Sequence, residues 1–593
     1  MVNGRRVLGL LNNMALYPDT EGPDFYLGIR KTNPVYGAGI TAPVFTKRLI
    51  VDGSLDRYEM FVSPKRLPVI AEDVRRALRG SRRSSLVTIH DYRELLNGFN
   101  DLGITLWFDS DAKFWEAAYI RSRWSARLYP ITAIFHTISY HFMLHSFILP
   151  LLLSQSYPCD SVICFSDAAR RALVKLLERV ATKFGNDYKV SLKYRGRLDV
   201  IPLGVDTQLF RPRNKSSIRR QLGLPVDACI ILYLGRFSFI DKMDLFPTLR
   251  VVRDLMIRHP SRNTLLVLAG TSRGTYLESM KHYLSELDML QRVKIVAAAP
   301  EDRHLLFSAA DIFVSPSDSI QENLGSTPIE AMASGVPQVV ADWNGYRESV
   351  RHGETGFLVP VCWTRCDGDL SDLAPLHVMN VEFDHGSMAQ SVAMDLREYG
   401  RCLEALIVNK SLRVAMGRAS RKRAMECYSW QSVVTKYEEI ASELAAIAKS
   451  GSYEPRRAPS YSCPSYFETF GHYATKCLDD DTLMYLSSST QSEGEVLPEY
   501  HPALEGRILD ARIVTAVINA MTHGNGRDGQ YLREKPASSH SPVAMAEVVL
   551  QVESALGRHA DEIRRHIMWL LKNGVVEIKE SDVPINRGEF LSL

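Results

Sequence analysis

Two acids separated by seven residues, Glu322 and Glu330, frame the stretch QENLGSTPIEAMASGVPQVV. Asn323, Leu324 and Gly325 lie between them at the expected start of a helix, where exposed main-chain amides could hold a phosphate. Upstream, Arg236 and Lys242 follow the apolar run IILYL. Arginine offers a planar fork and lysine a point charge, a pairing suited to neutralising an anion such as a diphosphate. His136 closes another apolar run, ITAIF. Each has a plainer reading. Glu330 could complete a capping box, Glu322 could be a solvated loop acid, the two cations could be an ordinary surface, and a lone histidine after a strand is usually structural.

These side chains need a scaffold, and Asp311 to Pro360 supplies its pattern. DIFVSPS is a short apolar run bounded by polar residues, which reads as a buried strand. Thr327 fits an N-cap, Pro328 the first helical position and Glu330 the third. Gly335 and Pro337 end that helix after about two turns. PQVVA, from Pro337 to Ala341, is the next strand, so the unit is strand, loop, helix, strand of a parallel sheet with its loop at the ligand-binding carboxyl edge. Further strands are expected at VLGLL, Ile104–Ser110, Ile131–Ser139 and Ile230–Leu234, in SVICFSDAARRALVKLLERVA ahead of a helix, in NTLLVLAGTSRG ending at Gly270, and in VKIVAAAPEDRHLLFSAADIFVSPS together with a helix. After SVIC, Ser166 is placed to cap an amphipathic helix.

The Glu322–Glu330 stretch resembles the E-x7-E segment of the retaining GT-B glycosyltransferases of family 4, the glycosyl transferases group 1. The resemblance implies two Rossmann-like domains facing a cleft, with the first acid meeting the donor sugar and the second the ribose of a nucleotide-diphosphate sugar. VIPLGVD resembles that family's linker between domains, and Asp206 within it either contacts ligand or stabilises the linker. Arg236 and Lys242 match its phosphate-binding pair, although Met243 stands where glycine is usual and the spacing is one residue longer. His136 matches a histidine near the reacting centre. Gly37 and Gly39 are placed like its glycine loop, with Ile40–Val51 as the following helix, or are turn residues. The segment Val296–Pro300 would hold the base through its backbone. The implied catalytic set is His136, Arg236, Lys242 and Glu322; the donor would be bound by Gly37, Gly39, Arg236, Lys242, Asn323, Leu324, Gly325 and Glu330. No cofactor and no metal are expected. The DSD at 109–111 therefore reads as a turn, and His141 with His145 lack a third ligand.

The implied division is 1–205 for the first, acceptor-side domain, with a closing helix 431–448 packing back on it, and 206–430 for the nucleotide-sugar domain. Residues 451–508, opening with GSYEPRRAPSYSCPSY, read as linker. Residues 509–593 read as a mainly helical, winged-helix-like accessory domain, with helices Leu509–Met521, Val543–Leu556 and Asp561–Lys572 before the strand VVEIK. Asp561 and Glu562 offset Arg564 and Arg565, so nucleic acid is not expected there, and a protein-contact or acceptor-binding role is.

Composition agrees with an enzyme of ordinary globular type. The 593 residues carry a net charge of +3, too balanced to demand nucleic acid or an anionic surface as partner. Nine scattered cysteines without a C-x-x-C pair suit free thiols in a reducing cytosol. The N-terminal apolar run is too brief for a signal peptide, and Phe142–Ser154 is far short of a span and reads as a buried helix. RASRKR at 418–423 reads as a solvated helix face, with peripheral lipid contact as the other option. The expectation is a cytoplasmic glycosyltransferase with a nucleotide-sugar donor and an acceptor the residues do not identify. The rival readings are a GT-B epimerase or phosphorylase and a non-catalytic scaffold acting through its C-terminal domain.

Overall fold

The computed structural model describes residues 5–11, 37–98, 102–110, 113–136, 139–140, 143–240, 242–272, 275–299, 302–373, 381–451, 465–487, 509–522 and 542–579. They fall into two units, Met1–Ala458 and Pro459–Leu593. Within the first unit, the apolar runs of the N-terminal half become strands β1 (Val7–Leu11), β2 (Arg57–Val62), β3 (Val87–Asp91), β4 (Leu106–Asp109), β5 (Ile131–Phe135), β6 (Ser161–Cys164) and β7 (Arg197–Val200). They pair in the order β3-β2-β1-β4-β5-β6-β7, and every pairing is parallel. Helices cover both faces of such a sheet, which is why β4, β5 and β6 are buried throughout rather than alternating.

Helix α1 (Gly37–Asp52) follows β1. It starts three residues before the expected Ile40, so Gly37 and Gly39 occupy its first turn rather than a loop ahead of it; residues 12–36 lie outside the described residues. Helix α2 (Asp167–Tyr188) is capped as expected, with the Ala169 amide donating to Ser166 Oγ at 3.1 Å.

The second lobe repeats the plan. Its strands are β8 (Cys229–Leu234), β9 (Thr264–Ala269), β10 (Val293–Val296), β11 (Ile312–Ser315), β12 (Gln338–Ala341) and β13 (Gly356–Val359). They are ordered β10-β9-β8-β11-β12-β13, all parallel. The order reverses between β8 and β11, which opens a crevice at their carboxyl ends. Helix α3 (Arg303–Ala309) leads into β11, and α4 (Ser326–Ala333) leads out of it. The two Rossmann-like lobes are those of the GT-B expectation.

The start of α4 differs from the sequence reading. Its N-cap is Gly325, at φ +74°, not Thr327, and no side chain caps it. Pro328 therefore sits third rather than first in the helix, where its missing N–H still costs no helical bond. Glu330 lies a full turn inside, too far to reach back, and the capping box does not form. The C-terminal end is as expected: Gly335, at φ +70°, donates to Met332 O at 2.9 Å and Val336 to Ala331 O at 3.0 Å, a Schellman ending.

Beyond the short pair β14 (Val361–Cys362) and β15 (Ala393–Met394), helices α5 (Lys410–Arg423) and α6 (Trp430–Ser450) return the chain to the first lobe. The Val205 amide donates to Tyr428 O at 2.7 Å. A Cβ on Gly204 would lie 2.4 Å from the Trp430 ring, so glycine is required at that crossing. Tyr437 OH meets Thr132 Oγ1 at 2.8 Å, and Arg197 meets Glu443 at 2.8 Å. Asp206 serves the linker: it accepts from Arg48 at 2.6 Å and from the Gln208 and Leu209 amides at 3.0 Å. The basic cluster is not simply a solvated face. Arg421 donates to Phe210 O and Ala333 O, and Arg423 to Ser349 O and Glu348 O.

The apolar segment after β5 folds as a π turn, Leu144–Ile148, and a short helix, Leu149–Leu153, burying Phe147, Ile148, Leu151 and Leu152. Among the described residues no helix is long and apolar enough to cross a membrane, and the described cysteines are free.

In the second unit, β16 (Leu483–Leu486), α7 (Ala511–Thr522), β17 (Val543–Ala544), α8 (Met545–Leu556), α9 (Ala560–Lys572) and β18 (Val576–Ile578) surround one core that includes Met484, Val517, Val548 and Ile567. The sheet is antiparallel in the order β17-β16-β18. Its central strand comes from the segment read as linker, because the alternate burial of LMYL needs partners that only the later strands supply. On α9, Arg564 is engaged by Asp480 at 2.7 Å and Asp561 at 3.0 Å.

Candidate active site

The β8 and β11 strands are hydrogen-bonded neighbours, so the loops at their carboxyl ends leave side by side. The β8 loop carries Arg236 and Lys242; the β11 loop carries Glu322. Lys242 Nζ donates to Glu322 Oε2 at 3.2 Å, with the Glu322 side chain only 9 % exposed. Arg236 is anchored at its carbonyl, which accepts from Tyr233 OH at 2.7 Å. The structure thus joins the lysine to the first acid. Glu330 has a different partner, Arg303, whose Nη2 lies 2.6 Å from Glu330 Oε2. Burial pushes the Glu330 carboxyl above its usual value, and Arg303 works against that rise.

The tight turn before α4 holds this loop. Gly325 has no room for a side chain, since a Cβ would lie 2.6 Å from the Tyr346 ring. Tyr346 is buried and shares a 2.8 Å hydrogen bond with Ser315 at the end of β11. Burial and the nearby Glu322 raise its phenol far above its usual value, so it is neutral. The Leu324 side chain is buried, which leaves only its main chain for a ligand.

The first lobe meets the same loop. Asn323 Nδ2 donates to His136 O at 3.5 Å, and its Oδ1 accepts from Ser166 Oγ at 2.8 Å. Gln321 pairs with Ser139. The amides of Asp167 and Ala168, in the first turn of α2, donate to the two oxygens of Glu348 at 2.8 and 3.0 Å, a carboxylate at the favourable end of a helix. The His136 ring is held inside its own lobe. Nε2 lies 2.7 Å from Ser110 O, which can only accept, so Nε2 carries a proton, and Nδ1 lies 3.2 Å from Thr41 Oγ1. Thr41 is one turn into α1. Of the DSD tripeptide, Asp109 is buried and Asp111 lies outside the described residues, as does His141.

Sequence reasoning missed several residues. Arg303 had no local signal, because its partner is 27 residues away. Asp318 sits in the β11 loop with Oδ2 accepting from the Asp244 amide at 3.0 Å and Oδ1 buried without a partner. Burial, against that amide and with the Asp244 carboxylate adding, raises its pKa to about 7. Trp343 Nε1 donates to Ser319 O at 2.9 Å and steadies the same loop. Among the described residues no group of His, Cys, Asp or Glu is arranged to hold a metal ion.

Comparison with known proteins meets this geometry at its centre. Residues 214–366 match the model of the family described as glycosyl transferases group 1. A D-inositol 3-phosphate glycosyltransferase of Acidothermus cellulolyticus is 35% identical over 169 residues, 28% of this chain and 37% of that protein. One of Mycolicibacterium gilvum is 31% identical over 242 residues, 39% of this chain and 52% of that protein. The chain thus spans about half or less of these relatives. Among solved structures, sucrose-phosphate synthase from Thermosynechococcus elongatus covers 75% of this chain at 17% identity and TM-score 0.45. Anabaena HepE in complex with UDP and glucose covers 74% at 15% identity and TM-score 0.46. Arg236, Lys242, Arg303, Glu322 and Glu330 all lie in the segment that matches the glycosyl transferases group 1 family.

Proposed function

We propose that the chain transfers a sugar from a nucleoside-diphosphate sugar to an acceptor, with retention of anomeric configuration and without a metal ion. The observation that supports this best is the β11 loop, which meets Lys242 through Glu322 and the main chain of His136 through Asn323. One short segment thereby faces a cation on one lobe and the candidate reaction side of the other.

In this reading the diphosphate takes Lys242 from Glu322, with Arg236 as the second cation, and both offset the charge that builds on the leaving phosphate as the glycosidic bond breaks. Glu322, freed from Lys242, accepts hydrogen bonds from sugar hydroxyls. Glu330 accepts from the ribose. His136 assists at the sugar. Retention follows from the family resemblance, by attack on the face the diphosphate leaves, with the departing phosphate taking the acceptor's proton.

Thermal unfolding with UDP-, GDP- and ADP-sugars tests the donor, because a ligand at one hundred times its Kd stabilises by about 2.7 kcal/mol. One of the three should raise the midpoint, and EDTA should leave the rise unchanged. No rise with any of them overturns the proposal. Product formed from donor alone would instead favour an epimerase.

A further inference from the structure

Arg303 opens α3 at the carboxyl end of β10, and its guanidinium reaches across to Glu330 in α4. That contact is only one side of the head group. Arg303 Nε is buried with no hydrogen-bond partner, while the side chain as a whole keeps about a quarter of its exposure (24 %). Arg219 and Arg121 direct their N–H groups to carbonyls and to one aspartate each, with no buried nitrogen left over, whereas Arg213 Nε, away from the site, lacks a partner as Arg303 Nε does. A buried donor left without an acceptor is costly, so the firm contact of this head group is the one to Glu330.

We infer that Arg303 is a positioning residue of the nucleotide site: its Nη2 pins one oxygen of Glu330 so that the other can accept from a ribose diol. This rests on the donor reading above. Among the described residues Glu330 is acted on by Arg303 and by no other charged group, and burial alone would favour its protonated form. A protonated carboxyl loses acceptor capacity, whereas the ion pair keeps both oxygens as acceptors. The ligand class is a ribonucleotide, read at its sugar.

The test uses the full chain and whichever of UDP, GDP and ADP binds best to it, together with that nucleotide's 2′-deoxy analogue. Calorimetric titrations of wild type, Arg303→Met, Arg303→Lys and Glu330→Gln would run from about pH 6 to about pH 8.5. Wild type should prefer the ribonucleotide across the range. Arg303→Met should bind it about tenfold more weakly at the acid end and recover in part at the alkaline end as Glu330 ionises. Its affinity for the deoxy analogue should barely change, and Arg303→Lys should restore part of the preference. Equal losses for both nucleotides with no pH dependence would mean a structural role and overturn the inference, as would wild-type behaviour of Arg303→Met. If wild type binds none of the three nucleotides, the donor reading falls and takes this inference with it.

Discussion

The amino ends of the two sheets and the carboxyl edge of the second one treat buried charge in opposite ways. Asp160, just before β6, takes two nitrogens of Arg121 at 2.6 and 2.9 Å and the amides of Ile131 and Tyr157 at 2.9 and 2.7 Å. Asp311, just before β11, takes Arg219 at 2.5 Å, Lys215 at 2.7 Å and the Ile230 amide at 2.9 Å. None of Asp160, Arg121, Asp311 and Arg219 has a buried polar atom without a partner. At the carboxyl edge, Ser317 Oγ, Asp318 Oδ1 and Arg303 Nε all do. The saturated ion pairs tie helices and strands together at the amino ends, whereas these three atoms leave the loops beside the candidate site less fully bonded.

The distinction can be broken most severely at its structural end. Asp160→Ala strands a buried guanidinium and should cost about 3–5 kcal/mol in urea unfolding; a loss within experimental error would remove Asp160 from the structural class. At the other end, Glu322→Gln and Lys242→Ala should each slow sugar transfer by ~10²–10³-fold. Both should unfold within about 2 °C of wild type, and wild-type turnover in the two would sink the site. Gly325→Ala joins the two classes, because it forces a side chain into the Tyr346 ring at positive φ. We expect a loss of about 1–2 kcal/mol in stability and a weakened donor response together.

A pH-dependent effect concerns Asp318. Its folded pKa of about 7 exceeds the ordinary carboxylate value, so the folded chain binds the extra proton between the two. Its contribution to stability therefore falls as pH rises from about 4 to about 7 and is level above that. Asp318→Asn removes this fall, so the midpoint difference between variant and wild type should grow across the window and then stay constant. Parallel profiles would show that Asp318 does not titrate there.

Local pattern was enough for most elements. Ile230–Leu234 was expected and Cys229–Leu234 found; Asp561–Lys572 was expected and Ala560–Lys572 found. Ser166 and Gly335 cap the helices they were assigned to. Where the reading failed, a distant residue had decided the outcome. Thr327 had every mark of an N-cap, yet the packing of Tyr346 against Gly325 moved the start of α4. LMYL lay inside an apparent linker until β17 and β18, well along the chain, gave it edges to pair with.

The chain's own order of residues therefore determined the alternation of strands and helices, the two similar lobes, and the loop that bears Glu322, since apolar period and turn chemistry act within a few residues. Which partner each charged side chain takes was decided only by the tertiary fold. Lys242 is 80 positions from Glu322, Arg303 is 27 from Glu330, and Asn323 is 187 from His136. Contacts at such separations exist because parallel strands bring their carboxyl ends to one edge, and no local pattern encodes which residues meet there.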